Sequence, residues 1–396
     1  MTAQSTGRED APGGAVAVEL RDGYLDLAHE TGRSAFHYMW LRDNCGCHEC
    51  RISQSGERAL FTADIPDHIA PTSATVAETD ARGPLLSLAW NDGHETRYSI
   101  RWLVAHDYSA GTRAQSGHLP ILWDATLAAV PTFEHADVVG TVEGQLAYLD
   151  AIRDYGVAVV SGTPSVEREV ERFAETVGHV RETAFERVHN VRHDPLGYNV
   201  AHTPLELKPH TDLPSYSWPP SIQLLHFLVN EATGGESTVT DGWAVVEDLR
   251  REDPAAFEVL ARVPVSFQLF SQDEDTYATA PIIQLDPDGR VRTFRYSNQL
   301  AQPLDAAFDD VEAFYHAYRK LGRAIDSDRY KVVFKTSSGD LLTVHSHRVM
   351  HGRLAFDPAS GGRHLQDVYM EYDDLMARRR VLLGHHIPEP ADGGDA

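Results

Sequence analysis

Along most of this chain, apolar and polar positions alternate in short runs broken by Gly, Pro, Asn and Asp. The segments AVAVEL, LLSLAW and TRYSIRWLV between residues 16 and 110 alternate with period two and predict short strands. A connection with one short helix is expected from about 110 to 134. TVEGQLAYLDAIRDYG, residues 141–156, then switches to helical spacing, with Leu146, Leu149 and Ile152 on one face and Gly156 as its stop. VAVVSG predicts a buried strand and SVEREVERFAETVG a second helix. Beyond Leu196 the pattern is again strand-like: SIQLLHFLV, ESTVT, RTFRYS, KVVFKTS, DLLTVHS and HLQDVYMEY. Helices interrupt it at DPAAFEVLARV, where Asp253 can cap and Pro254 can fill the first turn, and at DVEAFYHAYRKLGRAI. Many short strands with a few helices predict an α+β protein, an antiparallel double-sheet roll with helices packed outside. The Gly-, Asp- and Pro-rich ends, residues 1–15 and 386–396, are expected to stay outside the folded part.

Composition narrows the function classes. The net charge of −24 over 396 residues disfavours a nucleic-acid or anionic-membrane partner, either of which needs a basic face. No apolar run approaches membrane-spanning length, and the N-terminus lacks the basic-then-apolar order of a signal peptide. The three cysteines all lie within six positions, which excludes a disulfide scaffold and favours the cytoplasm.

Those cysteines are the first candidate site. LRDNCGCHEC places Cys45, Cys47 and Cys50 close enough to share one tetrahedral Zn²⁺. The fourth ligand could be His48, within the loop, or His94, in the turn WNDGHET; His48 would strain the loop, which favours His94. A closed four-ligand site of this kind is structural and stabilises a small domain with little core of its own.

The second candidate begins at KPHTDLPSY. An isolated His-x-Asp is usually a polar turn. His210 and Asp212 become more significant because VHSHRVMHGRLAF supplies a distant third donor, His351. Two histidines and one carboxylate form the facial set of non-haem Fe(II) oxygenases, with positions left open for a cosubstrate and O₂. His345 and His347 are expected to be decoys or supporting groups. Arg363, at the start of the next strand, could hold the far end of a dicarboxylate in a bidentate pair.

Taken in order, YMWLRDNCGCHEC, LKPHTDLPSYSWPPSIQLLHFL, GGESTVTDGW and VMHGRLAF resemble the γ-butyrobetaine and trimethyllysine hydroxylase branch of the Fe(II)/2-oxoglutarate dioxygenases, within the wider taurine dioxygenase-like group. The likeness covers residues 20 to 385. It implies a double-stranded β-helix (jelly-roll) core over 135–385 and a small β-rich, zinc-binding domain over 16–110. It implies His210, Asp212 and His351 on iron, Cys45, Cys47, Cys50 and His94 on zinc, and Arg363 and Ser237 on 2-oxoglutarate. It also implies a homodimer, and a reaction consuming O₂ and 2-oxoglutarate, releasing succinate and CO₂, and hydroxylating an unactivated C–H. Related halogenating enzymes lack the carboxylate ligand; Asp212 therefore favours hydroxylation, with desaturation, cyclisation or rearrangement as alternatives.

The resemblance places Phe185, His189 and His202 with Tyr369 where such enzymes cage a trimethylammonium ion, and Asn199 where they contact the substrate's acidic end. Two of the cage positions are histidine here, which opens the substrate range to amines, amino acids and phosphonates. Asn298 is a further polar contact or a turn residue. Two other readings compete. A zinc hydrolase needs a general base beside the metal, yet no Glu adjoins His210-Thr211-Asp212 and Arg363 is left without a role. A non-catalytic protein binding through its zinc module has no physical need for the iron ligands.

Overall fold

The computed structural model describes residues 16–77, 83–115, 118–192, 200–270 and 274–384. The chain divides into two compact units, one within residues 1–118 and the other over Leu119–Gly384.

The first unit holds two three-stranded antiparallel sheets. One consists of Ala17–Leu20, Tyr24–His29 and Gly32–His37, the other of Pro71–Ala77, Leu85–Trp90 and Glu95–Ser99. Period-two burial along Leu85–Trp90 sends Leu86, Leu88 and Trp90 into a core with Leu25, Leu27, Phe36 and Tyr98. The predicted third strand, TRYSIRWLV, ends early: Glu95–Ser99 is strand, and Ile100–Ala105 is helix. Ile100 and Leu103 are the buried residues of that helix, and their spacing of three suits a helix better than a strand.

The second unit is built on two sheets. The larger runs in the order His189–Arg192, Arg363–Met370, Ile222–Asn230, Leu341–His345, Val157–Ser161 and Thr132–Glu134, with Val180–Arg181 also paired to Arg363–Met370. The smaller runs Leu207–His210, Val349–Arg353, Ser237–Asp241 and Val332–Phe334. All neighbours are antiparallel except the parallel pair Thr132–Glu134 with Val157–Ser161.

The central strands of the larger sheet are buried on both faces, so they read as long apolar runs. On the outer face Ile222, Leu224, Leu341, Val368 and Met370 pack under two helices, Val142–Tyr155 and Glu169–Val177. On the inner face Leu225, Phe227, Leu342 and Leu365 join Val239 and Val349 of the smaller sheet in one apolar cluster. The two sheets thus form the expected double-sheet roll with helices outside.

Helix boundaries follow local chemistry. Thr141 caps Val142–Tyr155 by accepting from the Gly144 N–H, and Gly156, at φ 73°, ends it in the left-handed region. Its buried face is Gln145, Tyr148, Leu149 and Ile152, a rotation that leaves Leu146 only partly covered. The second predicted helix starts later than its pattern, at Glu169, because Arg168 has φ 65°. Asp253 caps Pro254–Arg262, with Pro254 in the first turn, as expected. Residues 119–134, expected as a connection, belong to the second unit. There Trp123 is buried, its backbone N–H donating to Asp241 Oδ2 at 3.2 Å and its indole N–H to the Tyr155 carbonyl at 2.8 Å. No helix of the described residues is long and apolar enough to cross a membrane. Both terminal segments fall outside the described residues.

Candidate functional site

Two groups of three or more metal-capable side chains occur among the described residues: Cys45, Cys47, Cys50 and His94 in the first unit, and His210, Asp212 and His351 in the second. Within each group the donor atoms lie within 4.8 Å of one another.

The first group is made by two tight turns. Cys45 and Cys47 follow the helix Tyr38–Asp43, and the Cys50 N–H donates back to the Cys47 carbonyl at 3.0 Å. His94 closes the hairpin between Leu85–Trp90 and Glu95–Ser99. Its Nε2 lies 3.3, 3.5 and 3.6 Å from the sulfurs of Cys45, Cys47 and Cys50. Asp92 fixes that turn: one oxygen accepts the His94 backbone N–H at 3.0 Å, and the other takes Arg42 Nε at 2.9 Å. Burial pushes the Cys45 thiol up to about 12, so a cation is needed to hold it as thiolate. A set of three sulfurs and one imidazole nitrogen fits tetrahedral zinc. His48 is not part of the group.

The second group sits where the sheets open into a cavity of about 340 Å³. His210 ends Leu207–His210 and lies opposite His351 of Val349–Arg353 in the ladder. These strands approach closely at Gly352, where an added Cβ would come within 2.6 Å of the Leu207 carbonyl oxygen. His210 Nδ1 is bonded to the Lys208 carbonyl at 2.9 Å, which orients the ring so that Nε2 lies 3.1 Å from Asp212 Oδ1. Asp212 Oδ2 accepts from Gln223 Nε2 at 2.7 Å and from the Tyr369 hydroxyl at 2.8 Å. Burial opposes ionisation of Asp212, but the His210 hydrogen bond and the nearby His351 charge hold its carboxyl well below the usual range. Burial, with His210 beside it, pulls His351 down to about 4, so its ring keeps a free lone pair at neutral pH. The donors present fit a divalent cation that accepts imidazole and carboxylate.

At one side of the cavity Arg353 and Arg363 line the wall with Ser237. Arg363 forms no ion pair with a carboxylate among the described residues; its guanidinium lies over Phe356 and Phe227, 5.6 and 5.8 Å from the ring centres. Burial and the neighbouring Arg353 charge lower it to about 9. A buried cation without an anion favours an anionic ligand. Ser237 is buried, its hydroxyl 3.3 Å from that of Thr336.

Of the expected cage residues, Phe185, His189 and Tyr369 line another part of the wall, while His202 is outside the lining. Phe185 stacks on His189 at 4.8 Å and on Tyr369 at 6.4 Å, and His202 meets His189 edge-on at 6.0 Å. Asn199 lies outside the described residues. Asn298 does not line the cavity. It is exposed and accepts from the Tyr318 hydroxyl at 3.3 Å, while its neighbours Ser297 and Gln299 face inward. Of the two expectations for Asn298, the turn residue is the one the structure matches. His345 stacks on Tyr372 and His347 bonds the Pro219 carbonyl, both away from the cavity lining.

Gln223 and Asp367 escaped the sequence reading. Gln223 Nε2 bridges the two carboxylates, 2.7 Å from Asp212 and 2.8 Å from Asp367, and Asp367 Oδ1 lies 3.0 Å from His189 Nδ1. The signal for Gln223 was a polar residue in a largely apolar strand; Asp367, in the mixed strand RHLQDVYM, had none.

Residues 129–369 match the family described as Taurine catabolism dioxygenase TauD, TfdA family, and residues 17–129 match Gamma-butyrobetaine hydroxylase-like, N-terminal. The chain is 36% identical to a gamma-butyrobetaine dioxygenase of Pseudomonas sp. (strain AK-1), over 88% of this chain and 91% of that protein. It is 30% identical to the mitochondrial trimethyllysine dioxygenase of Gallus gallus, over 92% and 88% of the two chains. It is 27% identical to the human gamma-butyrobetaine dioxygenase, over 90% and 93%.

Proposed function

This chain belongs to the TauD, TfdA dioxygenase family, and from that premise we propose that His210, Asp212 and His351 hold its iron, Arg363 its cosubstrate, and the Phe185–Tyr369 wall its substrate. The protein is an Fe(II)- and 2-oxoglutarate-dependent dioxygenase. The reaction we assign is hydroxylation of an unactivated C–H in a small polar molecule of the betaine, amine, amino-acid or phosphonate type. The observation behind the site assignment is the convergence on a single cavity of three metal-capable donors and of Arg363, which has no carboxylate partner among the described residues.

Bound at the three donors, iron supplies oxidising power from O₂ as 2-oxoglutarate is converted to succinate and CO₂. The chain's own residues position and exclude. Lys208 fixes the His210 ring through its carbonyl. Gln223 and Tyr369 hold Asp212 Oδ2, which leaves Oδ1 on the His210 side for the metal. Arg363, with the Ser237 hydroxyl nearby, receives the distal carboxylate of 2-oxoglutarate. Leu213, Leu225, Leu269 and Leu300 keep water from the reacting carbon.

The test is anaerobic titration of Fe(II) and 2-oxoglutarate followed by visible absorption. A metal-to-ligand charge-transfer band is expected, and its absence from folded protein would reject the assignment. In Arg363→Ala the band should still form, but should need about 100-fold more 2-oxoglutarate, because one partner of a buried charge pair is lost.

We assign Cys45, Cys47, Cys50 and His94 to structural zinc, a reading supported by the donor set and its Asp92–Arg42 bracing. Such sites contribute on the order of 10 kcal/mol to the folding of their module. Chelation should therefore abolish amide-exchange protection in Leu85–Trp90 while Ile222–Asn230 stays protected. The free thiols also suit a reducing, cytoplasmic setting. The homodimer implied by the family likeness is checked by sedimentation.

A further inference from the structure

The cavity lining contains two acids, Asp212 and Asp367, and the reaction above uses only one. Asp367 is 3% exposed. It shares its part of the wall with aromatic and apolar side chains: Phe185, His189, Tyr369, Leu213, Leu269 and Leu300. His189 occupies one of its oxygens at 3.0 Å and Gln223 the other at 2.8 Å. Tyr369 also reaches Asp367; each carboxylate oxygen can accept two hydrogen bonds, so the carboxylate retains capacity for one ligand donor.

An acid beside aromatic faces favours a cation, through charge and through the ring quadrupoles. The two contributions make different demands. A ring attracts any ammonium. A buried carboxylate gains most from a donor, because an N–H forms a short charge-assisted bond to it. A quaternary nitrogen has no donor, and its methyl groups would cover Asp367 while leaving its lone pairs unmatched.

Resting on the function proposed above, we propose that the substrate bears a primary, secondary or tertiary ammonium with at least one N–H, and that Asp367 accepts this N–H and selects against a trimethylammonium. Asp367 is thus a specificity residue. The Phe185 and Tyr369 faces cradle the cation, and the acid counts its protons.

The test holds the carbon chain constant and varies only the methyl groups. Protein loaded anaerobically with Fe(II) and 2-oxoglutarate is titrated calorimetrically with γ-aminobutyrate, its N-methyl and N,N-dimethyl derivatives, and γ-butyrobetaine. The step from dimethyl to trimethyl, which removes the last N–H, should weaken binding about tenfold or more. That step should vanish in Asp367→Asn and persist in Asp367→Glu. Trimethyl binding as tight as dimethyl, no binding of any N–H member at millimolar concentration, or an undiminished step in Asp367→Asn each overturns the proposal. If Asp367→Asn does not fold, the wild-type step alone decides. The charge-transfer band of the loaded protein is recorded first: its absence would reject the iron assignment, whereas its presence with no methylation step rejects only the role of Asp367.

Discussion

Replacing His351 with alanine is expected to abolish the Fe(II)/2-oxoglutarate charge-transfer band and to weaken iron binding by more than about 100-fold, beyond the loss seen when a supporting residue of a metal site is changed. The reason lies in where the donors come from. His210 and His351 face each other across one ladder position, and Asp212 follows two residues after His210. Removing His351 leaves both remaining donors on a single short segment. The backbone should tolerate the change, since His351 is flanked in the ladder by Val239 and lies in a strand whose pairing does not depend on the ring. His345→Ala is the matched control. It removes a buried histidine of the preceding strand, Leu341–His345 in the larger sheet, that stacks on Tyr372 instead of facing the cavity, so the band should survive. Loss of the band in His345→Ala, or its retention in His351→Ala, would move the metal site elsewhere.

The largest expected effect on stability is at Asp241. Its carboxylate meets the Arg348 guanidinium at both oxygens, 2.7 and 3.1 Å, with the two side chains only 0% and 1% exposed. It also caps the helix Gly242–Glu252 and accepts the Trp123 backbone N–H. Arg348 in turn donates to the carbonyls of Asp154 and Ile121. Asp241→Ala therefore strands a buried cation, uncaps a helix and frees a buried N–H. A loss of about 3–5 kcal/mol is expected, read from denaturant unfolding of the full chain. Removing both charges with shape-matched apolar residues should cost less than removing Asp241 alone, because the stranded charge accounts for most of the penalty. Equal losses would show that the cap and the backbone contacts dominate instead.

The chemistry of this chain is unevenly written in its sequence. His210, Asp212, His351, Arg363 and the cysteine cluster stand in recognisable local strings, and the structure gathers each donor group within 4.8 Å and places Arg363 on the cavity wall. The long apolar strands Ile222–Asn230 and Leu341–His345 were equally legible. What was hidden depended on direction. Gln223 and His226 both interrupt one apolar strand, yet Gln223 faces the cavity and His226 lies outside its lining. Gln366 and Asp367 are adjacent, yet one bonds the Arg168 backbone and the other His189. A strand buried on both faces gives no polar side against which to orient it. The Ile100–Ala105 helix was hidden for a related reason: six residues are too few for a period of three to stand out from a period of two.

The Arg363–Met370 strand offers Arg363, Leu365, Asp367 and Tyr369 to the cavity, alternating with residues turned to the helices or the outer face. It therefore works as a ruler. Four steps of about 3.3 Å fix roughly 13 Å between the backbone origins of the arginine and the acid. Pairing with Ile222–Asn230, interrupted only by a register shift between Phe227 and Val229, keeps that gauge from stretching. One inserted residue between the two marks would turn one of them out of the cavity; two would restore the facing but lengthen the scale by about 7 Å. With Arg363 and Asp367 in the roles proposed above, the combined reach of cosubstrate, metal and substrate is thus graduated in whole pairs of residues.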